Sequence, residues 1–128
     1  MDTKSQHILI ELFECNKDTL NKLLSIQDLL EHAAITAQAT IVKSVFHEFS
    51  PQGVTGVVIV EESHLSIHTW PEYGYASVDF YTCGECLPES AISVISEGLS
   101  AERVEVMLVE RGLSLTQTAM NISYHRTT

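Results

Sequence analysis

The sequence contains little cysteine, little basic charge and no long apolar run. Three cysteines are too few, and odd in number, for a disulfide framework, so we expect a reducing compartment and at least one free thiol. Seven basic residues stand against 17 acidic ones, giving a formal net charge of -10. That sign is wrong for following a phosphate backbone, so nucleic acid is not an expected partner. No run of about 18 apolar residues occurs and the first residues are polar, so we expect a cytoplasmic protein that contacts no membrane.

The length of the chain fits one domain. Its 128 residues are enough to bury one ordinary core but not two, and no repeat, low-complexity tract or linker divides them. We therefore treat residues 1–128 as a single domain.

Hydrophobic periodicity predicts the order of the structural elements. A strand is expected over His7 to Cys15, central in its sheet because both of its sides are apolar, and Asn16 or Asp18 can cap a helix that extends to Ala37. Strands follow over residues 40–49 and 54–60, joined by the turn Pro51-Gln52-Gly53, and over 65–70 and 75–81, joined by residues 71–74. Pro88 begins a shorter helix, after which a strand over 104–108 and a weaker one over 119–125 complete the chain.

This order predicts an α+β fold. Two hairpins and flanking strands make a mostly antiparallel sheet, with the helices packed on one face to form a two-layer sandwich. Apolar residues occur at both odd and even positions of the strands, which point to opposite faces of the sheet. This indicates that the face without helices is covered too. We expect a second copy to cover it, forming a homodimer with the shape of a larger layered sandwich.

The reactive side chains are concentrated between Glu61 and Cys86. Ser63 or Ser66 could form a hydrolase triad with His68 and Glu72, but neither serine lies in a Gly-x-Ser-x-Gly elbow.

Two cysteines in this segment allow two further readings. Cys83 and Cys86 could bind zinc together with His64 and His68, but a single Cys-x-x-Cys is a weak zinc signal. They could also form a redox pair, but no thioredoxin-like βαβ unit precedes them. We therefore expect no metal.

A specific motif accounts for these residues together. Residues 62–74, Glu-Ser-His-Leu-Ser-Ile-His-Thr-Trp-Pro-Glu-Tyr-Gly, resemble the signature of the short prokaryotic S-adenosylmethionine decarboxylase proenzymes. The resemblance extends through residues 40–42, 46–47, 49, 53–54, 56–58 and 79–84, and it covers roughly residues 7–112.

The resemblance implies that the chain cuts itself between Glu62 and Ser63. The products are a β chain of residues 1–62 and an α chain of residues 63–128, whose first residue becomes a pyruvoyl group. This pyruvoyl group, derived from Ser63, is the implied cofactor, and it forms a Schiff base with the substrate amine.

The resemblance also assigns roles to other residues. His68 matches the proton acceptor in processing, a role that suits an imidazole near neutral pH, and Cys83 matches the proton donor in catalysis. Cys86 has no counterpart in the family pattern. Thr55 stands where a serine thought to assist processing is common.

Three residues match positions that hold the substrate. Phe49, Trp70 and Glu72 resemble positions that bind the adenosyl part of S-adenosylmethionine, and aromatic faces also favour its sulfonium cation. Glu61 departs from the small polar residue expected before the cleavage motif. Together with Thr55, it leaves the speed of processing open.

The implied function is decarboxylation of S-adenosylmethionine to S-adenosylmethioninamine, the aminopropyl donor for spermidine biosynthesis. Two alternatives stay open. A pyruvoyl decarboxylase of the same family could act on arginine or ornithine, and an unprocessed chain could serve as a non-enzymatic binding partner.

Overall fold

The structure is a computed structural model that describes residues 3–61, 63–83, 86–113 and 121–127. The elements in chain order are β1 (Ser5–Phe13), α1 (Lys17–Leu20), α2 (Leu23–Thr36), β2 (Ile41–Glu48), β3 (Val54–Val60), β4 (Ser63–Trp70), a 3-10 helix (Pro71–Tyr73), β5 (Tyr75–Cys83), α3 (Pro88–Gly98), β6 (Arg103–Arg111) and β7 (Asn121–Thr127). The strands form one seven-stranded sheet in the order β2-β3-β4-β5-β1-β6-β7. Every neighbouring pair in this sheet is antiparallel.

The predicted α+β class is confirmed, and so are the main features of the sheet. Strand β1 lies inside the sheet between β5 and β6, as its two apolar sides indicate. The pairs β2–β3 and β4–β5 form the two predicted hairpins. The last strand begins at Asn121, and residues 119 and 120 of the predicted strand lie outside the described residues.

The first predicted helix is divided in two. Helix α1 is capped by Asn16, whose side-chain oxygen accepts a hydrogen bond from the Thr19 amide at 3.0 Å. Helix α1 ends after one turn, where Asn21 leaves the helical conformation. The Asn21 side chain accepts a hydrogen bond from the Gly53 amide. The chain resumes as α2 at Leu23.

The core lies between the sheet and helices α2 and α3. Alternate residues of each strand point to the same face of a sheet, and on β4 and β5 these are buried in turn. The core is built from the following side chains, each at most 2% exposed: Ile8, Ile10, Leu12, Ile26, Leu30, Val58, Leu65, Ile67, Val78, Phe80 and Ile95.

The other face of the sheet carries no helix of the described part of the chain, and we call it the open face. By strand alternation it presents His64, Ser66, His68 and Trp70 of β4. It also carries large apolar side chains that are 38% to 62% exposed, namely Leu9, Val45, Ile59, Ile122 and Tyr124.

None of the helices that the structure describes is long and apolar enough to cross a membrane.

Candidate active site

The predicted functional residues lie in two groups at opposite ends of strand β4. This strand has eight residues and begins at Ser63. At about 3.3 Å per residue, the side chains at its two ends are separated by roughly 20 Å. We call the group around Ser63 and Cys83 the serine end and the group around Thr55 and His68 the pocket end.

At the serine end, the β4–β5 pairing brings Ser63 next to Cys83. The Cys83 amide donates a hydrogen bond to Ser63 Oγ at 3.2 Å, and both side chains are half-buried. The hydroxyl group is therefore held by the backbone of the residue that is also the predicted proton donor. Glu62, the other side of the predicted cleavage site, lies outside the described residues.

At the pocket end, the open face contains a cavity of about 310 Å³. Its walls bring together all five predicted processing-support, processing and substrate-binding residues of this end: Phe49, Thr55, His68, Trp70 and Glu72. Gln52, Gly53 and Thr69 complete the lining.

His68 is positioned by its neighbour across the β3–β4 pair. Thr55 lies directly opposite His68, and Thr55 Oγ1 is 3.0 Å from His68 Nδ1, a hydrogen-bond distance. The hydroxyl group common to serine and threonine thus contacts the imidazole, and the added methyl group of Thr55 does not prevent this contact. The imidazole itself remains exposed at the cavity.

The turn that carries Phe49 is held in place by hydrogen bonds to Asn21 and Thr69, two residues for which the sequence suggested no role. The Phe49 amide donates to the Gly53 carbonyl at 2.8 Å, and the Gly53 amide donates to Asn21 Oδ1 at 3.0 Å. Thr69 Oγ1 accepts from the Val54 amide at 2.9 Å and donates to a helix carbonyl at 2.8 Å. Gly53 has φ +105, and an added Cβ would lie 3.2 Å from the Thr69 carbonyl oxygen, so glycine suits this position.

The indole of Trp70 is the end of an aromatic stack on the open face. Its ring centroid is 5.1 Å from that of Tyr75, which in turn is 5.6 Å from that of Phe13. The Arg103 guanidinium lies 3.7 Å from the Phe13 centroid. Burial, and then the hydrogen bond that the Tyr75 hydroxyl donates to Glu11, raise the pKa of Tyr75 to about 12.

Between the two ends, the open face carries a cluster of His7, His64 and Asp79. Asp79 Oδ2 is 2.5 Å from His7 Nε2 and 3.1 Å from His64 Nε2, and Ser66 donates a hydrogen bond to the same carboxylate. Burial favours the neutral acid, but these hydrogen bonds outweigh it and hold the pKa of Asp79 below its ordinary value. Arg111 Nη1 lies 3.3 Å from His7 Nδ1, and because a guanidinium can only donate, Nδ1 must accept this hydrogen bond. The ring hydrogen of a neutral His7 is then on Nε2, where it can be donated to Asp79.

The four predicted zinc candidates are not brought together. The one group of three or more closely spaced metal-ligand side chains among the described residues is His7, His64 and Asp79. His68 and Cys83 are absent from it because they lie at opposite ends of the open face. Of the three thiols, Cys15 is buried, which raises its pKa to about 11, whereas Cys83 and Cys86 are half-buried.

Residues 6–112 match the family model described as S-adenosylmethionine decarboxylase. The chain belongs to this family. It is 47% identical over 113 residues to the S-adenosylmethionine decarboxylase proenzyme of Thermotoga petrophila, which covers 88% of this chain and 87% of that protein. Identity to the proenzyme of Bacillus cytotoxicus is 48% with the same coverage. The crystal structure of the adenosylmethionine decarboxylase from Aquifex aeolicus superposes with a TM-score of 0.80 at 37% identity, covering 92% of this chain and 98% of that one.

The predicted family is therefore confirmed, as is the predicted class of activity. S-adenosylmethionine decarboxylases of this kind are lyases of polyamine biosynthesis, made as proenzymes that acquire a pyruvoyl group from a serine. In this member of the family, the residues predicted to carry out that chemistry are present. However, they do not lie together within one chain, because Ser63 and His68 are five residues apart on one strand, about 17 Å.

Proposed function

We propose that this chain cuts itself between Glu62 and Ser63 and then decarboxylates S-adenosylmethionine with a pyruvoyl group derived from Ser63. The observation that carries the proposal is the placement of Ser63 as the first residue of β4, with its Oγ 3.2 Å from the Cys83 amide. The product, S-adenosylmethioninamine, is the aminopropyl donor for spermidine biosynthesis. The free thiols favour a reducing compartment, so we propose a cytoplasmic enzyme.

Self-cleavage uses atoms that the chain itself supplies. Ser63 Oγ attacks the preceding carbonyl carbon, so a C–O bond forms, the C–N bond breaks, and the hydroxyl proton goes to the released amine. Removal of the Ser63 α-proton then expels the Glu62 carboxylate by β-elimination. The remaining dehydroalanine tautomerises to an imine, which takes up one water molecule and releases ammonia, leaving the pyruvoyl group with its oxygen from water.

The proton transfers need an imidazole close to Ser63, and the geometry favours one from a second protomer. A general base must lie within about 3 Å of the proton that it accepts, whereas His68 of the same chain is about 17 Å from Ser63. Two copies related by a two-fold axis and packed open face to open face can place the serine end of each protomer at the pocket end of the other. By strand alternation Cys83 lies on the open face, whereas Ser63 has the parity of the buried Leu65, so the partner must approach Ser63 at the start of β4, where the mature α chain begins. We therefore propose a homodimer in which Ser63 and Cys83 work with Thr55 and His68 of the partner subunit.

The composition of the open face supports this dimer. Leu9, Val45 and Ile59 are 38% to 53% exposed, and together with the apolar side chains of β7 they make a large apolar area for a single protomer. Covering it with a second sheet would give the predicted layered sandwich with helices on both outer sides. The mature assembly then contains two α and two β chains.

In the mature site, the pyruvoyl group supplies a carbonyl that captures the substrate amine and accepts the electrons released as carbon dioxide leaves. The chain must then return a proton to the substrate carbon. We assign this to Cys83, because its backbone amide contacts residue 63 and its thiol is only half-buried. Cys86 has no contact in the described structure that gives it a part in the reaction, and it packs against the core.

The cavity favours S-adenosylmethionine over arginine or ornithine. Two aromatic side chains, Phe49 and Trp70, are 48% and 39% exposed at the cavity, which provides flat surfaces for a purine and for a sulfonium cation. Glu72 provides a carboxylate that can accept hydrogen bonds from the two ribose hydroxyl groups. An arginine or ornithine side chain has no planar base that would use the aromatic surfaces.

A substrate assay tests the proposal. The purified, processed protein is incubated separately with carboxyl-labelled S-adenosylmethionine, arginine and ornithine, and released carbon dioxide is counted. We expect release from S-adenosylmethionine alone, and none from any substrate with the Ser63→Ala variant. Release from arginine or ornithine without release from S-adenosylmethionine would overturn the assignment of the substrate.

A further inference from the structure

The cavity at the pocket end contains two polar side chains that have no partner among the residues that the structure describes. Thr55 and His68 are hydrogen bonded to each other, and the Thr69 hydroxyl makes two hydrogen bonds. Gln52 and Glu72 make no hydrogen bond to any residue that the structure describes. Their amide and carboxylate groups are therefore the ones available for a ligand.

Gln52 lies on a hydrogen-bonded turn of the cavity wall, and its side chain is exposed. It lies between Phe49 and Gly53, whose backbones are hydrogen bonded to each other at 2.8 Å, and Gly53 is anchored to Asn21 at 3.0 Å. The Phe49 ring on the same turn is contacted edge-on by His47 at a centroid distance of 4.6 Å. The backbone that carries the Gln52 side chain is therefore already positioned before a base stacks on Phe49, so only the side chain itself has to be ordered on binding.

The two available groups match the two polar ends of an adenosine. A carboxylate only accepts hydrogen bonds, which suits the two donor hydroxyl groups of a ribose. A carboxamide has one donor group and one acceptor, which matches the amino group and N7 of adenine in a bidentate pair. A 6-oxopurine presents two acceptors, O6 and N7, at these positions. The carboxamide can then make only the hydrogen bond to N7, and its own oxygen faces O6 without a hydrogen between them.

We infer that Gln52 is the residue that selects adenine over other purines in this cavity. The inference rests on the proposed function, since it presumes that the cavity receives the adenosyl group. It adds a specificity-determining residue outside the motif that carries the family resemblance. Glu72 holds the sugar and is indifferent to the base.

The test compares 5′-methylthioadenosine with 5′-methylthioinosine, which differ in the 6-amino and 6-oxo groups and in the hydrogen that N1 carries in the 6-oxo form. Binding to the processed protein is followed by the fluorescence of Trp70, the single tryptophan of the chain, which lines the cavity. The wild-type protein should bind the adenosine compound about 5- to 100-fold more tightly. Gln52→Ala should reduce this ratio to within about threefold, and Gln52→Arg should invert it, because arginine pairs with O6 and N7.

Glu72→Gln is the matched control, and it should weaken both ligands by a similar factor while the ratio is preserved. A wild-type ratio in Gln52→Ala, or loss of the ratio in Glu72→Gln, would overturn the assignment. The same preparations are assayed for self-cleavage and for decarboxylation of S-adenosylmethionine. If these proceed while Gln52→Ala keeps the ratio, the inference alone fails; if wild type neither processes nor binds either nucleoside, the proposed function fails with it.

Discussion

Two inactive variants should restore processing to each other if the site is shared between protomers. Ser63→Ala removes the attacking hydroxyl group, and His68→Ala removes the imidazole. Each variant alone should stay uncut, because every site in its dimer lacks one of the two groups. In a mixed dimer, however, the His68→Ala chain keeps Ser63 and faces the intact His68 of the partner subunit.

The size of the effect follows from the separation along β4. Ser63 and His68 of one chain are about 17 Å apart, well beyond the roughly 3 Å of a proton transfer, so restoration is possible only across the interface. With equal co-expression and random pairing, about half of the His68→Ala chains have a Ser63→Ala partner. We therefore expect about half of the His68→Ala chains to be cut and none of the Ser63→Ala chains.

Denaturing mass spectrometry measures these fractions, because the two variants differ in mass. The control pairs His68→Ala with a Ser63→Ala/His68→Ala double variant, which supplies no imidazole and should leave both chains whole. Absence of any cut chain in the first mixture would refute the shared site. Full cutting of His68→Ala alone would refute the role of His68.

Three further predictions concern single residues. Cys83→Ser should leave self-cleavage intact but lower kcat at least about 100-fold, because a hydroxyl is a poor acid, whereas the control Cys86→Ser should change kcat less than about twofold. Equal effects of the two substitutions in the carbon dioxide assay would contradict the role of Cys83. Gly56→Ala should lower the free energy of unfolding by about 1 to 3 kcal/mol in urea titrations, because the new Cβ would overlap the ring of Phe46 directly across the β2–β3 pair. The loss should be smaller when Phe46 is replaced by leucine in the same chain. Because hydrogen bonds hold the pKa of Asp79 below its unfolded value, its carboxylate stabilises the fold above the unfolded pKa, and this contribution disappears as pH falls through the native pKa. Asp79→Asn should therefore cost about 1 to 3 kcal/mol at neutral pH and progressively less as the pH is lowered, and a cost that stays the same in acid would contradict this role; Asp28→Asn, on the exposed side of α2, is the control for loss of a surface charge.

The class of fold could be predicted because local patterns and tertiary structure agree here. The alternation of Ile8, Ile10 and Leu12 identified β1, and its apolar second side correctly indicated a strand inside the sheet. The break between α1 and α2 was missed because it depends on a long-range hydrogen bond between the Gly53 amide and Asn21. Periodicity alone contains no information on such a contact.

The residues of the candidate site could be proposed from the sequence, but their arrangement could not. The motif assigns roles to Ser63 and His68 but does not say where each finds its partner group, and an extended strand separates residues five positions apart by about 17 Å. The support of the Phe49 turn by Asn21 and Thr69 could not be predicted either. Both residues act through hydrogen bonds across many positions of the chain, and only the assembled sheet brings the partners together.

Denaturing mass spectrometry of the purified wild-type protein tests the central claim most directly. Self-cleavage predicts two species, residues 1–62 ending in an ordinary carboxylate and residues 63–128 lighter than the serine-initiated peptide by the mass of one ammonia. The Ser63→Ala chain should remain whole under the same conditions. A wild-type protein that stays an intact chain of 128 residues after prolonged incubation would contradict the account.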